Sequence, residues 1–515
     1  MEPCANPNLL SSPALAQDLI AAQLPQEDRL SLAATCTSLR HASLRWFPEI
    51  SAEMGESKAA ADSLAAWLRR YRARTPLRIL PAGCTDIHER RKAAQRMGRA
   101  LRRLAACESA TACVISIAPS SFGAQVPSAA VARFSALHML HAGVGCGLSL
   151  WGSTQPIFAL TRLRHLSLLR IGDEEQLAGL AQLPRLRRLA VGCQDARPVA
   201  AALPALRQLS SLQVFVAFHG QKRAINWRHL AGLSKLERLH LDCLRRVSEL
   251  APLLPALAPR LRSLELSANR LADLPHQLSV CSGLTHLQMR ITAGHATPTA
   301  AGLQCLAALS RLQSLHLVWP CRLPAYAACS TLAVLPALTR IMLVSTVSVD
   351  GWAALSSLHQ LRDMELRECQ LYTLGPLSGL TALTRLAVSH DWLSDLPTAP
   401  PGPLDTAGLD ALARLRNLSL AGNFHHAVPP QLSALRRLTA LHLNGNMLVG
   451  GWEHLLPLQQ LAHLDLTACN LAAVPAAFSA LASLTRLDLR GNPHITGGWE
   501  HLQHLALLRK LVRDN

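Results

Sequence analysis

Apolar residues fall into one recurring unit, L-x-x-L-x-L, along most of the chain. Clear copies begin at Leu163, Leu186, Leu236, Leu261, Leu284, Leu312, Leu338, Leu361, Leu383, Leu415, Leu438, Leu461 and Leu484. Looser copies begin at Leu212 and Leu508, and earlier ones at Ala112 (with Ile115 and Ile117) and Phe134 (with Leu137 and Met139). Leu415, Leu418 and Leu420 cannot all lie on one face of a straight strand, where side chains alternate. They can all point inward if a short strand bends into a coil that closes on itself, and each coil then covers the leucines of the next. The pattern predicts an α/β solenoid over residues 111–515, with parallel strands about 4.8 Å apart on one wall. Roughly sixteen coils would give a wall on the order of 70 Å long. Segments such as Pro429–Leu435 and Pro475–Leu481 are expected to form short helical turns on the back, begun by proline.

The ninth position of the unit carries Asn269, Asn423, Asn446 and Asn492, or Cys369 and Cys469. An amide there can bond the backbone of neighbouring coils, and a buried thiol is a weaker donor. Other copies carry Thr292, Thr346 or Asp391, so the first half of the array is expected to be less regular. Near the C-terminus Gly450-Gly451-Trp452-Glu453-His454-Leu455 returns as Gly497-Gly498-Trp499-Glu500-His501-Leu502, a superperiod of two coils. Related fragments are Gly351-Trp352 and Asn226-Trp227. Such tryptophans could form an aromatic rail for a partner, but each is expected to cover the edge of the core beneath it.

These copies resemble the leucine-rich-repeat family over about 400 residues. The resemblance implies a curved horseshoe with the strands on the concave face and a protein-binding role for that face. The 23-residue copies look like the intracellular typical class and lack the G-x-I-P signature of plant receptor ectodomains.

Residues 1–50 and 51–110 precede the array and read as an all-α region. Leu24-Pro25-Gln26-Glu27-Asp28-Arg29-Leu30-Ser31-Leu32-Ala33-Ala34-Thr35-Cys36-Thr37-Ser38-Leu39-Arg40 resembles the second half of an F-box. Asp28 can cap a helix on which Leu32, Cys36 and Leu39 recur at helical spacing. The resemblance implies docking on a Skp1-like adaptor of a cullin ubiquitin ligase through Leu24, Pro25, Leu30, Leu32, Cys36 and Leu39, with the downstream domain choosing the target. The entrance departs from the family pattern, with Ser12-Pro13-Ala14-Leu15-Ala16-Gln17 in place of L-P-x-D/E-L-L. Residues 51–110 read as a basic helical linker or cap. Ala94, Met97, Leu101 and Leu104 form a narrow apolar stripe among arginines, expected to pack on the first coil.

The formal charge is +18, and nearly all of it is arginine. A basic surface can serve RNA, anionic lipid or an acidic protein patch, while a general preference for Arg on solvated faces accounts for it without a partner. The 14 cysteines show no C-x-x-C pair, which argues against structural zinc and a disulfide framework. No cationic-then-apolar leader and no long uncharged apolar run is legible, so a cytoplasmic protein without a membrane span is expected, with nucleus or cytoskeleton as other destinations.

No P-loop, G-x-G-x-x-G, H-E-x-x-H or G-x-S-x-G is present, so no catalytic residue and no cofactor is expected. Of the 22 histidines, those at the central strand position (His240, His316 and His442) and those two residues earlier (His165, His286 and His463) fall, within each set, on coils several steps apart, too far to share a metal, and the adjacent pair His425 and His426 is a weak signal. The central strand positions instead read as a recognition row: His240, Glu265, Gln288, His316, Glu365, His442, Asp465 and Asp488. Carboxylates on that midline disfavour a phosphate-tracking groove. The sequence therefore reads as a non-catalytic interaction protein, first as a substrate receptor of an SCF-type ligase with an unknown target protein. A cytoskeletal or axonemal scaffold is the alternative, and a basic RNA-binding protein is the third reading.

Overall fold

A computed structural model describes residues 52–71, 74–80, 87–106, 111–117, 125–142, 149–151, 154–171, 174–216, 225–270, 274–291, 300–318, 325–344, 351–369, 371–389 and 402–514. The F-box-like residues Leu24, Pro25, Leu30, Leu32, Cys36 and Leu39 lie outside the described residues. The chain divides into two compact units, Met1–Arg238 and Leu239–Asn515. Both are stacks of leucine-rich-repeat coils.

In the first unit the strands Ala52–Met54, Arg74–Ile79, Thr111–Ile117, Met139–Ala142, His165–Ile171, Arg188–Cys193 and Ser211–Val216 pair in that order, all parallel. Residues 51–110 are therefore not helical throughout. The helices Lys58–Tyr71 and Ile87–Ala105 are present, but strands precede and separate them. In Arg74–Ile79, Leu77 and Ile79 are buried and Arg78 is exposed, the alternation of a strand. The arginine-rich surroundings hide that short alternation from a helical reading. Ala94, Met97, Leu101 and Leu104 are all buried, as their stripe predicts, while Arg91, Arg99 and Arg102 face solvent. Arg96 and Arg103 reach Glu56 and Asp62 at 3.2 and 3.3 Å. Two repeat registers differ as well: the copy read from Leu212 starts at Leu209, with Leu209, Leu212 and Val214 buried. The copy read from Phe134 starts at Leu137, because Leu137 and Leu140 are buried and Met139 lies half-exposed beside Val114.

In the second unit the strands Ser263–Arg270, His286–Ile291, Ser314–Val318, Arg340–Val344, Asp363–Arg367, Arg385–Ser389, Asn417–Ser419, Ala440–His442, His463–Asp465, Arg486–Asp488 and Lys510–Val512 pair in sequence, again all parallel. Leu415, Leu418 and Leu420 are fully buried, as are their counterparts Leu438, Leu441 and Leu443. Each such side chain contributes roughly 2 kcal/mol by leaving water. The backs of the later coils are short 3-10 segments, among them Pro430–Ala434 and Ala476–Ala480, while earlier backs include the α-helices Leu254–Leu257, Ala300–Gln304 and Ala325–Ala333.

Two side-chain clips close the coils. Asn446 Nδ2 donates to the carbonyls of Leu420 (2.9 Å) and Leu443 (2.7 Å), while its Oδ1 accepts from the backbone N–H of Asn423 and His425. Asn492 repeats the pattern against Leu466, Leu489, Cys469 and Leu471. Cys369 and Cys469 substitute with thiol donors to Leu343 O and Leu443 O at 3.3 and 3.1 Å. The second clip was not legible as such beforehand. The hydroxyls of Thr285, Thr339, Thr384, Thr439 and Thr485 donate to a carbonyl of the preceding coil at 2.9–3.1 Å. Leu-Thr recurs at the start of these copies and was the available signal.

The turn before Trp452 and Trp499 needs glycine. Gly451 and Gly498 have φ of 76° and 84°, and a Cβ on either would meet a valine carbonyl oxygen at 2.6 or 2.2 Å. Trp227 and Trp352 are buried, in line with covering the core, whereas Trp452 and Trp499 are half-buried. Trp452 stands edge-on to Phe478, with ring centres 5.7 Å apart.

Candidate recognition surface

Parallel register turns the central strand positions of the second unit into one column. Glu265, Gln288, His316, Met342, Glu365, Ala387, Ser419, His442, Asp465 and Asp488 are successive partners across the sheet. His240 joins it through Glu265. Side chains two residues before and after each central position share the wall, because strand side chains alternate. This gathers the row into three polar groups.

The first is built on Glu265, whose carboxylate sits 2.9 Å from His240 Nδ1. The His240 hydrogen bond holds the Glu265 carboxyl below the usual carboxylate range against the opposing effect of burial, with help from His286 and His316. His316 lies half-buried, and burial followed by the charge of Arg290 lowers its pKa.

The second group centres on the buried Glu365. Arg367 Nε and a terminal nitrogen both reach its Oε1, at 2.6 and 2.5 Å, and Arg385 stands 3.6 Å from Oε2. Asp363 lies two residues earlier, 2.9 Å from Arg340 and 3.9 Å from Arg385. The sequence reading had Glu365 alone. Asp363, Arg340, Arg367 and Arg385 were missed, although their offsets of two residues from the column placed them on the same face.

The third group joins His442, Asp465 and Asp488. His442 Nδ1 lies 3.5 Å from Asp465, and Thr467 donates to Asp465 through its N–H (3.0 Å) and its hydroxyl (2.7 Å). Burial raises the Asp465 pKa, but the His442 and Thr467 hydrogen bonds outweigh it and bring it to about 2. Asp488 is buried and accepts two hydrogen bonds from Arg490, at 2.9 and 2.8 Å, with Arg486 at 3.6 Å. The Arg490 bonds hold its carboxyl below the ordinary range. The arginines of both groups are about half-exposed, so the acid lies beneath and the guanidinium faces out.

Such a surface offers hydrogen-bond donors and charges of both signs in fixed orientation. Among the described residues no three His, Cys, Asp or Glu side chains are placed to hold a metal ion. No helix among them is long and apolar enough to cross a membrane.

No protein-family model matches the chain, and no curated protein matches it in sequence. Among solved structures, a leucine-rich-repeat protein of Leptospira interrogans is similar at 19% identity and a TM-score of 0.41, over 75% of this chain and 92% of that one. An internalin of Listeria monocytogenes is similar at 17% identity and a TM-score of 0.32, over 75% of this chain and 83% of that one. The leucine lattice and the strand register, rather than either likeness, make the fold of this chain a leucine-rich-repeat solenoid.

Proposed function

We propose that this chain is a non-catalytic recognition protein that grips a protein partner on the strand wall of its second unit. The F-box-like segment around Leu24–Leu39 would couple it to a Skp1-like adaptor, making it the substrate receptor of an SCF-type ubiquitin ligase. The observation that carries the first part is the row from His240 to Asp488, in which the buried Glu365 and Asp488 hold half-exposed arginines in place and the half-buried Glu265 and Asp465 pair with His240 and His442. Pre-oriented groups of this kind lose little entropy on docking and reject surfaces of the wrong charge pattern. Mixed signs fit the mosaic of a protein surface better than a uniform polyanion. Arginine is also among the residues that most often anchor protein interfaces. The ligase part rests on the sequence resemblance.

The test is affinity purification of the full chain under proteasome inhibition, read by mass spectrometry. Arg367→Glu combined with Arg385→Glu is expected to lower target recovery at least tenfold while Skp1 and cullin stay. Leu24→Asp is expected to do the reverse. Unchanged target recovery with the double variant would remove the wall as the docking face. Recovery of tubulin or dynein without a cullin would replace the ligase role by the scaffold alternative.

A further inference from the structure

The first unit carries a second surface of different character. Its coils at Leu163 and Leu186 start with Arg162-Leu163-Arg164-His165 and Arg185-Leu186-Arg187-Arg188. Arg162, Arg164, Arg185, Arg187 and Arg188 are all exposed, and none has a carboxylate partner among the described residues. The backbone stacks them in columns. Arg187 N–H donates to Arg164 O at 2.7 Å, Arg164 N–H donates to His138 O at 2.8 Å, and Arg188 pairs with His165 across the strands. Five guanidinium groups thus start from two adjacent coils about 4.8 Å apart. Burial, then the charges of Arg188, His138, Arg187 and Arg164, lowers the pKa of the His165 imidazole, which marks the positive field at this place.

No carboxylate of the described central column offsets that field. The central column runs Ser116, His141, Ser167, Ala190 and Gln213, with no carboxylate. The acids Asp173, Glu174 and Glu175 come after the other end of the strand, and the next acid of the arginine column is Glu237, two coils on. In the second unit the same column separates its arginines Arg262, Arg362, Arg416 and Arg509 from one another by the clipping threonines, and the wall arginines lie against Asp363, Glu365 and Asp488.

We propose that this arginine rim is a docking site for the phosphate backbone of a nucleic acid, bound without reading its sequence. Arginine forks match phosphate oxygens two at a time. A line of them on stacked coils fits a chain of evenly spaced anions. Among the described residues of this unit no large apolar side chain is exposed beside the rim, so the apolar insertion that anchors basic surfaces in a bilayer has no counterpart. Among the described residues of this unit no aromatic ring is exposed as a platform for bases, which directs contact to the backbone.

The test is fluorescence anisotropy of the full chain with a labelled uridine 20-mer and with a 20-base-pair DNA duplex, which separates RNA from DNA as the source of the phosphates. With about five phosphates engaged, log Kd should rise with log salt at a slope of about 3.5 for the single strand and 4.5 for the duplex. Arg185→Glu with Arg187→Glu should weaken the preferred nucleic acid at least thirtyfold. Arg436→Glu with Arg437→Glu, two exposed arginines of the second unit, should change it less than twofold. Both variants are checked for an unchanged melting curve. Equal binding by the rim variant, or tighter rim-dependent binding of polyglutamate or phosphatidylserine vesicles than of either nucleic acid, overturns the proposal.

Discussion

The last coils of the second unit and the coils of the first unit share one leucine lattice but close differently. In residues 402–514 the strands are three residues long, and Asn423, Asn446, Cys469 and Asn492 take over the backbone groups beyond them. In the first unit the matching ninth positions hold Ile171 and Gln194, and the strands His165–Ile171, Arg188–Cys193 and Ser211–Val216 run for six or seven residues. Buried backbone N–H and C=O groups must be paired somewhere. Where a side-chain amide pairs them, the chain can turn away early; where none is available, the ladder continues. Leucine burial therefore fixes the architecture, and the polar clip sets how tightly each coil turns.

The largest test of this contrast is Asn446→Ala. It strands the Leu420 carbonyl and two backbone N–H groups, leaves Leu443 O with only the weaker Cys469 thiol, and should cost about 4 kcal/mol, read as a lower urea midpoint. Gln194→Ala, at the same position of an unclipped coil and exposed, should cost under about 0.5 kcal/mol. Similar losses at both sites would dissolve the distinction.

A pH titration sharpens it next. His425 is buried beside the Asn446 clip, and burial followed by the charge of His426 brings its pKa from 6.5 to about 4. The unfolded chain takes up the proton first, so stability is full above pH 6.5 and is lost as the pH falls towards 4. The loss should approach about 3 kcal/mol. His425→Leu should flatten the curve in that window, and a wild-type curve already flat between pH 6.5 and 4 would contradict a neutral buried imidazole.

The smallest effect concerns the hydroxyl clip. Thr439→Val keeps the shape but removes the bond to Arg416 O, and should cost about 1 kcal/mol. Arg187→Thr would add a hydroxyl next to that of Ser210, which already bonds Arg187 O at 3.1 Å in the first-unit column, and gain about half of that, visible as a small rise in melting temperature. No shift in either variant would leave the threonine column without a role in stability.

Much of this was legible from residue spacing alone. Leu415, Leu418 and Leu420 announce a closed coil because no straight element buries all three. The recognition column follows, since one register carries Glu265 through to Asp488. Its partners were harder to see. That Arg367 lies on Glu365, and that Thr467 bonds Asp465, depends on side-chain reach between coils, which no linear pattern displays. The strands Ala52–Met54 and Arg74–Ile79 escaped notice because Met54, Leu77 and Ile79 are too few, and too closely ringed by basic residues, to show a period. The arginines of the rim were visible only as part of a total charge. Their separation from acids appears once the coils are stacked.

The clips have a mechanical corollary. The amide, thiol and threonine bonds described here stay within one coil or join it to an immediate neighbour, and none of them ties distant coils together. Pulled from its C-terminus, the second unit should yield one turn at a time, each release lengthening the tether by some two dozen residues before the next clip takes the load. An attached cargo would feel a ratcheted spring, with a sawtooth force trace whose teeth are highest at Asn492 and Asn446.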